Sequence, residues 1–340
     1  MNESCTIPTS PFLSNLSHVC VCLTAPVYIT TLYILLFKCP PFFNLYRIVL
    51  LRHICTCIFM EYFMDLVWQL TVVVPWSALC SMGLGHRLPV VMFVIVAASL
   101  CATAISIMQM FDYRMNAVTD DDLKVLKGVI TGIKFYHYFM MTSCMCLLVA
   151  SYDYLADQKP FKAKVQQKYG DLPPYIWCDN CIFINTDSTL VLIFVGLAAS
   201  SQPFAALYFG LSVYASKLGL QKLRKSLSAR TIAIQKNFLY SLYIQTAVHL
   251  IFLSIPMGVF FLSFVVWLPS STMYMSYILV SMCTQHGSLS TFALMMSNKP
   301  LYSVFTKTFL RVKQKIGGAE QRGSTVEASS WFRFALPTNN

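Results

Sequence analysis

Charge is scarce in this chain: Asp, Glu, Lys and Arg make up 11% of its 340 residues, under half of the roughly 25% usual in a soluble globular domain. With 56% hydrophobic residues beside that scarcity, an ordinary water-soluble fold is excluded, and the chain reads as one integral membrane domain with a short tail. Close histidine pairs are lacking too. The six histidines, His18, His53, His86, His137, His249 and His286, stand more than thirty residues apart, so no HExxH or other local metal box forms. There is no GxSxG elbow, P-loop or glycine-rich dinucleotide fingerprint; neither an enzyme nor a cofactor or metal is expected. No Lys or Arg precedes the first apolar segment, and without a basic n-region or clear cleavage site it reads as a retained helix, not a signal peptide. No internal repeat is visible, which weighs against a transporter.

What the chain does have is apolar length. A spanning helix needs about 20 predominantly apolar residues, and seven stretches qualify: 16–37, 48–75, 89–111, 130–151, 189–214, 238–267 and 273–296. The expected fold is an all-α integral membrane bundle of seven transmembrane helices over 16–296. It follows an outer tail at 1–15 and precedes an amphipathic cytoplasmic helix at 297–316 and a flexible polar tail at 317–340. The net charge of +11 lies in the connections between apolar runs, so it reports orientation in a lipid bilayer rather than nucleic-acid binding. With the N-terminus outside, 20 of the 25 Lys and Arg residues fall on the cytoplasmic side, as the positive-inside rule requires. The sequons Asn2-Glu3-Ser4 and Asn15-Leu16-Ser17 then sit in or beside the extracellular tail as candidate glycosylation sites.

Several side chains stand out within this frame. His53, Cys57, Glu61 and Asp65 recur at i, i+4 and line one helix face. Ionisable groups in a span face the bundle interior or a water-filled cavity, so Glu61 and Asp65 are candidates for a buried polar core or ion site. Ser281, Thr284, Ser288 and Thr291 form a second stripe beside Gly287; it reads as a close-packed helix seam, with Gln285 and His286 in an interior network. Asp112 and Arg114, at the inner end of the third segment, are candidates to lock helix ends by ion pairing. The 215–236 loop holds six basic residues, Lys222, Arg224 and Lys225 among them, and no acidic one, suiting an anionic partner surface or the inner leaflet. Outward of Pro256, Phe260, Phe261, Phe264 and Trp267 suit an apolar ligand or lipid packing. Of the outer cysteines, Cys5, Cys80, Cys178 and Cys181, a bridge from Cys80 to Cys178 or Cys181 would tie the first outer loop to the second.

Five motifs in order, YILLFKCPP, ISIMQMFDYR, ADQKPFKAK with DLPPYI, QKNFLYSLYIQTAVHLIFLSIP and QHGSLSTFALMMSNKP, resemble the nematode seven-transmembrane chemoreceptors of the serpentine receptor group, most closely class H. The resemblance runs from about residue 5 to 305. It implies a G-protein-coupled receptor in the plasma membrane of sensory cilia that detects an external small molecule. A heterotrimeric G protein would then be admitted near Arg114 and the 217–236 loop. The alternatives are a ligand-gated cation channel of inverted topology, with Glu61 and Asp65 along the ion path, and a transporter; the charge asymmetry opposes the channel.

Overall fold

A computed structural model describes residues 11–39, 44–73, 78–119, 123–184, 187–224, 228–263, 273–298 and 301–307. Helix α1 (Pro11–Tyr33) widens into a π-helical turn at Ile34–Lys38, and α2 (Asn44–Tyr62) does the same at Phe63–Trp68. Strands β1 (Leu70–Val73) and β2 (Ala78–Ser81) follow, then α3 (Pro89–Val118) and α4 (Lys124–Ala150). The short helices α5 (Tyr152–Ala156) and α6 (Lys159–Tyr169) lead to β3 (Cys181–Phe183) and the long α7 (Thr189–Leu223). Helix α8 (Ala229–His249) passes through a π-helical turn at Leu250–Ser254 into α9 (Ile255–Leu262), and α10 (Met273–Ser297) completes the bundle.

The boundaries follow local chemistry. Pro89 sits in the first turn of α3, where its missing N–H costs nothing. Ser228 caps α8 by accepting from the Thr231 N–H at 3.2 Å. Pro256 opens α9 directly after the wide turn: proline denies the helix a donor, and a π-helical turn is one way the neighbouring backbone absorbs the irregularity.

Among the described residues, five helical segments, 15–38, 89–118, 124–150, 189–223 and 231–262, are long and apolar enough by themselves to cross a membrane. The other two walls of the bundle fall short for a common reason. Helix α2 with its turn carries Arg47, Arg52, Glu61 and Asp65, while α10 carries Gln285, His286 and a run of hydroxyls; Glu61, Asp65, Thr284, His286 and Ser288 are all buried against neighbouring helices. Their polarity faces protein rather than lipid, which composition alone does not register.

The helix expected over 48–75 gives way earlier. Gln69 adopts a left-handed conformation (φ 47°), and Leu70–Val73 becomes the first strand of an antiparallel sheet ordered β1-β2-β3. Alternate residues explain it: Val72, Leu79 and Ile182 pack on the bundle, while Val73, Cys80, Cys181 and Phe183 pack under Val165, Tyr175 and Ile176. Both faces of the sheet are buried and three of the four residues of β1 are apolar, so a hydropathy scan reads Leu70–Val73 as more membrane helix. Cys80 and Cys181 are register partners and are joined by a disulfide. That resolves the choice for Cys80; Cys178 is disulfide-bonded as well, and Cys5 lies outside the described residues. Gln69 Nε2 lies 3.2 Å from His18 Nε2 near the start of α1, so the beginning of α1 and the sheet share one end of the bundle.

Candidate functional site

Beneath the sheet, α3, α4, α7 and the α8–α9 junction surround a cavity of about 140 Å³. Its wall is almost wholly apolar, with Phe93, Met141, Phe194 and Phe260 among the lining residues. A second chamber of about 80 Å³ shares Phe93, Met257 and Phe260 with it and is roofed by Leu70, Val72 and Leu79 of the sheet. The disulfide-tied sheet is thus the lid of this space. Phe260 and Phe261 line the larger chamber; Phe264 and Trp267 lie outside the described residues.

The polar residues of α2 and α10 meet along the next seam. Glu61 is fully buried, and its Oε2 accepts from the Tyr28 hydroxyl at 2.6 Å and from the Ser288 N–H at 3.2 Å. Its Oε1 has no hydrogen-bond partner among the described residues. Gln285 Nε2 donates to Asp65 Oδ2 at 3.3 Å, and Asp65 and Gln285 line a mixed polar and apolar hollow of about 240 Å³ beside Ser17 and Gln69. The seam is tight because Gly287 lacks a side chain: a Cβ there would lie 2.6 Å from Cys57 Cβ and 2.7 Å from the Tyr28 oxygen. Deeper in, the rings of His53 and His249 pack edge to face at 5.5 Å, and those of His249 and His286 lie tilted to each other at 5.8 Å. His53 Nδ1 lies 2.9 Å from Ser106 Oγ, and His249 Nε2 lies 3.3 Å from Ser290 Oγ. These three imidazoles connect α2, α8 and α10, and His249 also lines the apolar cavity. No group of three or more His, Cys, Asp or Glu side chains among the described residues is arranged to hold a metal.

At the opposite end, Asp112 pairs with Lys134 of α4 at 2.5 Å and accepts from the Tyr208 hydroxyl of α7 at 2.8 Å. Asp112 thus makes a cross-helix ion pair, with Lys134 and not with Arg114. Asp112 and Arg114 are two residues apart on one helix and face different neighbours. The Arg114 guanidinium lies between the rings of Tyr46 and Phe238, 3.8 Å from each centroid, a cation–π cage joining α2, α3 and α8. Gly219 of α7 lets the α3 terminus approach, since a Cβ there would lie 2.2 Å from the Val118 carbonyl oxygen. Lys222 and Arg224 stand exposed at the end of α7; Lys225 lies outside the described residues.

A bundle of this kind, with a family model described as serpentine type 7TM GPCR chemoreceptor Srh matching residues 8–311, decides the family. The chain belongs to the class H serpentine chemoreceptors. No curated protein and no solved structure matches it. Class H membership makes it a multi-pass membrane protein of a chemoreceptor family, with the all-α seven-transmembrane architecture that the apolar segments imply.

In this class H receptor, helical spacing alone brought together His53, Cys57, Glu61 and Asp65, and the Ser288–Gln285 pair. It missed Tyr28, Tyr46, Lys134, Tyr208 and Phe238, which complete the buried contacts from other helices. The row of three imidazoles was also missed; the signal available was only that each His fell in or beside an apolar run. Asn15 is exposed on α1, whereas Asn2 lies outside the described residues.

Proposed function

We propose that this receptor binds an external small molecule in the outer-half cavity and couples to a heterotrimeric G protein at the end marked by Asp112, Arg114, Lys222 and Arg224. Its place is the plasma membrane, in the sensory cilium that the family resemblance implies, with the N-terminus extracellular. The observation that carries this reading is His249. It belongs at once to the cavity wall and to the imidazole row that ties α8 to α2 and α10. A ligand that packs differently against α8 and α9 in two helix arrangements shifts their populations by that difference alone. The wide turn at Leu250–Ser254 and Pro256 give this segment a place to bend. At the inner end, the Arg114 cage spans three helices, so their separation must open it.

Orientation has two supports: the Lys and Arg asymmetry, and a disulfide at the end shared with the start of α1, since disulfides persist in oxidising surroundings. The cation-channel alternative is weakened because Tyr28 and Ser288 close over Glu61. The polar core of Glu61, Asp65, Gln285, His286 and Ser288 serves in this reading to hold α10 against α1 and α2.

The test is a G-protein-linked reporter assay in cells over a broad set of small organic compounds, followed by Ala104→Trp, which fills the cavity from α3. A compound that activates the receptor should lose its effect in the filled variant at equal surface level. An undiminished response would move the binding site elsewhere.

A further inference from the structure

Besides Ser201, Gln202 and Ser254, two imidazoles interrupt the apolar wall of the cavity. His137 of α4 lines it, is 1% exposed, and has no hydrogen-bond partner on either ring nitrogen among the described residues. His249, which also lines it from α8, leaves Nδ1 without a partner among the described residues. A neutral imidazole offers one donor and one acceptor, and a buried polar group without a partner is costly until something supplies one. A ligand is the natural supplier here. No Asp, Glu, Lys or Arg lines the cavity among the described residues, so an ionised guest would meet no counter-charge in an apolar enclosure. The volume of about 140 Å³ is close to the roughly 150 Å³ that accommodates a benzene-sized guest in an apolar protein cavity.

We infer that the cavity selects an uncharged, mostly hydrocarbon molecule of about six to eight non-hydrogen atoms bearing one hydrogen-bonding oxygen, a ketone or an alcohol, recognised by His137 and His249. This rests on the reading of the cavity as the ligand site. The hydrocarbon part takes the room beside Phe93, Phe194 and Phe260, and the oxygen satisfies an imidazole. A ketone accepts from an N–H; an alcohol also donates to the bare nitrogen. Because His249 is in ring contact with His53 and His286, the group that recognises the oxygen also reports its presence to α2 and α10.

The test uses the full chain in lipid nanodiscs and four probes on one skeleton: cyclohexanone, cyclohexanol, methylcyclohexane and cyclohexanecarboxylate, with binding followed by ligand-observed NMR. Cyclohexanone and cyclohexanol should bind roughly tenfold or more tightly than methylcyclohexane, and the carboxylate should not bind measurably. His137→Leu and His249→Leu should each reduce that preference while methylcyclohexane still binds, showing an intact cavity. If a Leu variant no longer binds methylcyclohexane, His137→Gln or His249→Gln replaces it and should retain part of the preference. Equal binding of ketone and hydrocarbon, a preference that survives both Leu variants, or tighter binding of the carboxylate each overturns the inference. Failure of all four probes to bind rejects the cavity as a ligand site, and this inference with it.

Discussion

Gly287 shows how much one missing side chain does in this receptor. Its α-carbon faces Cys57 and the Tyr28 hydroxyl so closely that an added methyl has no room. Gly210, by contrast, has nothing within 4 Å of the corresponding position. Gly287→Ala should therefore destabilise the purified receptor by about 1–3 kcal/mol through overpacking. Gly210→Ala should be neutral or slightly stabilising through better helix propensity. Thermal unfolding in nanodiscs compares the two, and equal melting temperatures would reject the tight α1–α2–α10 seam. The seam itself was legible at this scale: i+3 and i+4 spacing put Thr284, Ser288 and Thr291 on one face. What Ser288 meets was not, because Glu61 lies on another helix, over two hundred residues away in the chain.

Among the elements, the lid has its own electrostatics. Lys162 of α6 is buried, and its ammonium donates to the Cys178 carbonyl at 2.9 Å. Burial lowers its pKa from the ordinary 10.5 to about 8, and nearby Asp179 only partly offsets this. Between those two values the unfolded lid binds more protons than the folded one, so lid stability should rise as pH increases from about 8 to 10.5. Below pH 8 both forms are charged and the desolvation cost is carried in full. Lys162→Met should remove most of this slope. Hydrogen exchange at the amides of β2 and β3, measured across that range, reads it directly. An unchanged slope in the variant would assign it to another group. The sheet beneath Lys162 escaped a hydropathy reading because both its faces are buried, leaving no polar alternation to mark strands.

For the whole molecule, orientation is the property that charge counting reaches most directly. An epitope tag placed before Cys5 should be accessible on intact cells, and one after Asn340 only after permeabilisation. The reverse pattern would put the disulfide-bonded lid in the cytoplasm and bring the channel alternative forward. The inner contacts divide the bundle in a way that no count of charges reveals. Asp112 joins α3 to α4 and α7, whereas Arg114 joins α3 to α2 and α8. Two neighbouring residues thus hold different helix pairs, and a change in one contact need not break the other.

The sequence by itself determined the solvent, the run of apolar helices, the charge asymmetry and the class H motifs, because each is a sum over residues near one another in the chain. Only the tertiary structure decided that Cys80 pairs with Cys181, that Arg114 sits between two rings, that three distant histidines form a row, and that two of the six histidines line one apolar cavity. Those features depend on which helix faces meet. The meeting is set by close approach at Gly219 and Gly287 and by burial of polar groups against one another, neither of which a linear pattern specifies.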